Sequence, residues 1–80
     1  MIRLTTHAAQ RLAQRGIAIA WIEAALASPD AREADPSDPA LTRCYKAIPD
    51  AEGRVLRVVW RQAGPDILVI TAFLDRDATR

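Results

Sequence analysis

Eighty residues, half of them apolar and 26% charged, with a net charge of +1 and a single cysteine, describe one small globular unit. That profile excludes a disordered chain and a second domain; one thiol and one histidine exclude an internal disulfide and leave no expected structural zinc site or other cofactor. No apolar run approaches the roughly 20 residues of a membrane span and no signal-peptide pattern opens the chain, so a cytoplasmic protein with no membrane partner is expected.

Met1 to Leu4 reads as a short extended lead-in. Thr5 or Thr6 then offers a hydroxyl to cap a helix in which Ala8, Ala9, Leu12 and Ala13 share one side and His7, Gln10, Arg11, Gln14 and Arg15 the other. Gly16 stands where a left-handed residue ends a helix, and Ile17 is placed to fold back on the last turn. A second helix is predicted over Ile19 to Ala27, with a stripe of Ile19, Ile22 and Leu26 broadened by Trp21 and Ala25. Ala18 is its poor cap, and Ser28-Pro29 its end.

Pro29 to Leu41 holds three of the five prolines and four of the ten acids, so it reads as an exposed connection, with room for a short edge strand at Ala31 to Ala34. From Thr42 the period becomes alternating: strands are predicted over Thr42 to Ile48, Arg54 to Arg61 and Ile67 to Leu74, followed by a polar tail, Asp75 to Arg80. The last strand is apolar at almost every position, the pattern of a strand covered on both sides. The expected architecture is a single α+β domain over 1–80: a helical hairpin (5–28) packed on a three- to four-stranded antiparallel meander (42–74), ordered ααβββ. Leu12, Ile17, Ile22, Leu26, Val58, Trp60, Val69, Ile70 and Phe73 are its core candidates. Cys44 is expected as a half-buried strand residue, and both tryptophans as packing residues.

The charges segregate along the chain. Residues 1–22 carry Arg3, Arg11 and Arg15 with no acid, residues 23–39 are acidic, and residues 54–64 are basic again through Arg54, Arg57 and Arg61. Ten of the eleven cations are arginines, whose planar forks suit bidentate contact with phosphate or carboxylate. His7, Arg11 and Arg15, spaced i, i+4, i+8, line one helix edge on which a phosphodiester could sit, with the histidine moving a proton and the arginines holding charge. A solvated polar helix face accounts for the same residues. Arg43, Tyr45 and Lys46 with Arg57 and Arg61 give the sheet a cationic, partly aromatic set suited to stacking a base and holding a backbone. Charges that protect a sheet from edge pairing account for these equally well. No glycine-rich phosphate loop, paired-cysteine metal spacing or nucleophile triad is present, which leaves metal-free phosphodiester chemistry or none.

The order His7-Ala8-x-x-Arg11-x-x-x-Arg15-Gly16-Ile17, then Ile22 and Leu26, Arg57-Val58-Val59 and Ile70-Thr71-Ala72, resembles the bacterial family called domain of unknown function 4258, related in fold to the RelE/ParE and BrnT toxins. The likeness spans His7 to about Phe73. It implies a RelE-like sheet on two helices, and a ribonuclease of a toxin–antitoxin module that needs no metal, the 2′-hydroxyl attacking the neighbouring phosphate. By role, His7 or Tyr45 would be the base and Arg57 a catalytic cation, with Arg11, Arg15, Arg43 and Arg61 on the substrate. The implied partners are RNA and an antitoxin-like protein. The alternative is a non-catalytic domain that binds a protein partner, for which the acidic stretch Asp30 to Asp38 is the candidate surface.

Overall fold

The computed structural model describes residues 1–76. In chain order these form β1 (Ile2–Leu4), α1 (Thr6–Arg15), α2 (Ile19–Ala27), β2 (Ala31–Ala34), β3 (Thr42–Ile48), β4 (Arg54–Ala63) and β5 (Asp66–Asp75), with a single 3-10 turn at Pro49–Ala51.

Both helices follow from local chemistry. Thr5 caps α1, its Oγ1 accepting the Ala8 amide at 3.0 Å, and Gly16 ends it in the left-handed region at φ 66°. The Gly16 and Ile17 amides both donate to the Leu12 carbonyl, so Ile17 folds back into the core. The buried residues of α1 are Ala8 and Leu12, one turn apart. Ala18 gives α2 no side-chain cap, and Ile22 and Ala25 are the residues it buries, with Trp21 and Leu26 packed beside them. Ile19 departs from the expected stripe. It lies in the first turn of α2 and is 51% exposed.

The sheet corrects the expected three- to four-stranded antiparallel meander. It has five strands in the order β1-β5-β4-β3-β2 and is mixed, because β1 pairs parallel with β5, Ile2 opposite Ile67 and Leu4 opposite Val69. Three residues are too few to display an alternating pattern, and their partner lies at the other end of the chain; a parallel neighbour requires such a long crossover. The class remains α+β. The edge strand at Ala31 to Ala34 does form, paired antiparallel with β3.

One face of the sheet carries the helices. Ile48, Leu56, Val58, Val69 and Ala72 join Ala8, Leu12, Ile17, Ile22 and Ala25 in the core, with Ile2, Leu4, Trp60 and Leu74 at its margin. Cys44 is fully buried, and its Sγ accepts the Trp60 Nε1 hydrogen at 3.0 Å. In β5 the register slips: Val59 lies opposite Thr71 but Trp60 opposite Val69, so Ile70 is the additional residue of a bulge. Both Val69 and Ala72 therefore reach the core, while Ile70 and Phe73, expected there, are half-buried outside it. The predicted polar tail starts a residue late: Asp75 is the buried end of β5, and the rest of that expectation, from Asp77 on, lies outside the described residues.

Candidate functional site on the open sheet face

The face away from the helices is set by alternation and register. Tyr45 lies opposite Arg57, and Arg57 opposite Phe73, so one cross-strand row carries Tyr45, Arg57 and Phe73. The Arg57 guanidinium carbon is 5.5 Å from the centroid of the Tyr45 ring and 4.9 Å from that of Phe73, a cation held between two π faces. Arg57 also ion-pairs with the buried carboxylate of Asp75, and its Nε is buried with no hydrogen-bond partner among the described residues.

Arg15 joins this row from the helix. α1 runs beside the part of β5 that β1 leaves unpaired, and Arg15 Nη1 donates to the Ala72 carbonyl at 2.9 Å. The same guanidinium lies 5.8 Å from the Phe73 ring centroid. Two arginines from distant elements thus converge on one aromatic ring.

Acids balance the β2 side of the face. Arg43 Nε donates to Asp35 Oδ2 at 3.1 Å and its Nη1 lies 3.8 Å from Glu33 Oε1, while the Tyr45 hydroxyl donates to Glu33 Oε1 at 2.8 Å. Hydrogen bonds to Tyr45 and then Asp35 hold the Arg43 guanidinium above its ordinary pKa. Asp35 is pulled down from the ordinary 3.8 to about 2, first by the Ser37 hydroxyl and amide, which donate at 2.7 and 2.9 Å, and then by Arg43. Tyr45 is itself 4% exposed, covered by the long side chains around it.

The residues singled out in the sequence therefore divide. Arg15, Arg43, Tyr45 and Arg57 come together, and Arg61 shares their face further along β4, exposed, its Nη1 3.3 Å from the Gln62 carbonyl. His7 and Arg11 do not join them. His7 is exposed and makes no hydrogen bond or ion pair with another described residue, and Arg11 reaches only Gln14, at 3.4 Å. Lys46, on the opposite face, ties β3 to the Ser28 carbonyl at 2.8 Å. From sequence, Phe73 is assigned to the core, Asp75 to the tail, and Glu33 and Asp35 to an acidic protein-binding stretch, so their part in this cluster is missed. The alternation of β5 would have set Phe73 on the open face only if the bulge at Ile70 had been recognised, and no local signal marks it.

Residues 4–74 match the family described as domain of unknown function DUF4258. The chain belongs to that family. No curated protein and no solved structure matches it. In this DUF4258 domain no group of three or more His, Cys, Asp or Glu among the described residues could hold a metal ion, and no described helix is long and apolar enough to cross a membrane.

Proposed function

We propose that this DUF4258 domain is a RelE/BrnT-like, toxin-type protein that takes single-stranded RNA on the open face of its sheet and cleaves it without a metal. One observation carries the reading: Arg15 of α1 and Arg57 of β4 converge on Phe73, with Tyr45 stacked on the other side of Arg57. Arginines interleaved with aromatic rings on a sheet suit a splayed strand, with the half-buried Phe73 ring for a base and cations for the backbone. Of the two bases named from sequence, Tyr45 is the one beside Arg57. Its hydroxyl already donates to Glu33, a carboxylate placed to draw off that proton while the phenol oxygen accepts one from a 2′-hydroxyl. As the 2′-oxygen bonds to phosphorus and the P–O5′ bond breaks, arginine charge meets the developing oxyanion and the leaving 5′-oxygen takes a proton from water.

The test is expression of the wild type beside Tyr45→Phe, Arg57→Lys and His7→Ala, with growth and cleavage of total RNA as readouts. Tyr45→Phe is expected to lose cleavage and keep RNA binding, and His7→Ala to keep both. A wild type that neither slows growth nor cuts RNA ends the nuclease reading.

A second reading is favoured by the acids. Arg43 and Arg57 are each already neutralised by a carboxylate, which suits a non-catalytic domain that binds a protein, an antitoxin-like partner among them. Tight, salt-insensitive binding of such a protein with no measurable RNA affinity would select it.

A further inference from the structure

The parallel strand creates a second cationic surface on the open face. Arg3 of β1 is in register with Leu68 of β5, and Leu68 with Arg61 of β4. Ile2 and Leu4 pack on the core, so Arg3 between them projects from the other face, and alternation along β4 sets Arg61 on that face with Arg57 and Val59. The two arginines straddle Leu68 at two strand spacings, about 10 Å between backbones. Two guanidinium forks on long stems can close on a single phosphodiester across that distance.

Neither arginine is committed elsewhere. Among the described residues the Arg61 side chain hydrogen-bonds the Gln62 carbonyl and forms no ion pair. Arg3, its side chain 64% exposed, pairs among the described residues with Asp66, Oδ2 at 3.8 Å, and a water-screened pair of that kind contributes little and gives way to a competing anion. Arg43 and Arg57 differ in both respects, since the carboxylates that hold them are almost wholly buried. From Leu68 the open face of β5 continues through Thr71, opposite Val59, to Phe73 with Arg15 and Arg57. A strand laid along β5 thus meets a cation pair at one end and the Phe73 ring at the other.

We infer that Arg3 and Arg61 form a phosphate-holding row that seats one phosphodiester of a single-stranded nucleic acid over Leu68, in line with the aromatic cluster. This rests on the RNA reading and adds the anchoring subsite. The experiment measures binding of oligouridylate and of oligothymidylate by fluorescence anisotropy across a salt series. A contact whose salt slope is about 0.7 is worth about fivefold at about 0.1 M salt, so Arg3→Ala and Arg61→Ala should each weaken RNA binding by about that factor and flatten the slope by about 0.7. Asp66→Asn should tighten binding, and Arg61→Lys should restore most of the salt slope. Arg32→Ala removes the same charge from a side chain stacked on Trp60 of the helix-covered face and should change neither quantity.

If Arg3→Ala and Arg61→Ala bind as the wild type does while Phe73→Leu weakens binding, the row is overturned and the RNA reading stands. If oligothymidylate binds as tightly as oligouridylate and both depend on Arg3 and Arg61, the row stands and the RNA reading falls. A wild type that binds neither overturns both.

Discussion

At one end of the open face Arg43 and Arg57 are held against nearly buried carboxylates, those of Asp35 and Asp75; at the other, Arg3 and Arg61 stand in solvent, and among the described residues the acid paired with them is Asp66, loosely, at Arg3. The residue type is the same and the physical role is opposite. Where the acid partner is out of water, the pair is part of the fold, because removing either member takes from the other a counter-charge at a desolvated position. Where both stay hydrated, the charge adds little to stability and remains available to a ligand. Counting arginines on a surface therefore says little about anion binding until each one's partner is known.

The largest expected effect tests the locked end. Arg57→Ala leaves the Asp75 carboxylate buried without its cation and removes the filling between Tyr45 and Phe73, and should cost about 2–4 kcal/mol in urea unfolding. Were its midpoint no lower than that of Arg3→Ala, the contrast between the two ends would be lost. Asp35 tests the same end by pH. Its folded-state pKa of about 2 lies below the ordinary 3.8, so its stabilising contribution is fully present above that ordinary value and is lost as pH falls toward 2. Acid unfolding of Asp35→Asn should lack that component, which a comparison of pH-dependent thermal midpoints would detect.

A smaller change is expected at the link between helix and face. Arg15→Ala forfeits the bond to the Ala72 carbonyl and the contact with Phe73, about 1 kcal/mol together, and should raise amide exchange along the β5 edge beside α1. The smallest stability effect belongs to the loose end: Arg3→Ala and Arg61→Ala should each stay within about 0.5 kcal/mol of the wild type. A larger loss in either would show that its charge is structural after all.

How much of this was legible beforehand follows the range of the interactions involved. The bounds of α1 could be read because Thr5, Gly16 and Ile17 act on backbone groups within a turn of themselves. Alternation along β4 likewise separates Leu56, Val58 and Trp60 from Val55, Arg57 and Val59 without any knowledge of its neighbours. On the site side, alternation alone sets Arg43 with Tyr45 and Arg57 with Arg61, and only the register brings Tyr45 opposite Arg57. His7 and Arg11 share an edge of α1 with Arg15, yet only Arg15, in the last turn, reaches the sheet.

The sequence by itself determined two helices, the first capped by Thr5 and the second ended by Ser28-Pro29, three long strands and the presence of arginine and tyrosine on a sheet face, since caps, periods and turns depend on residues close in the chain. Tertiary structure decided the rest. Pairing Ile2–Leu4 beside Ile67–Val69 joins the two ends of the chain, and it is specified by the free edge of β5 and by Ile2 and Leu4 finding the core. The bulge at Ile70 turned Phe73 outward because β5 had to match β4 on one side while keeping Val69 and Ala72 inward. Those two long-range adjustments placed Arg3 beside Leu68 and Phe73 beside Arg57, and with them the surface on which function is proposed.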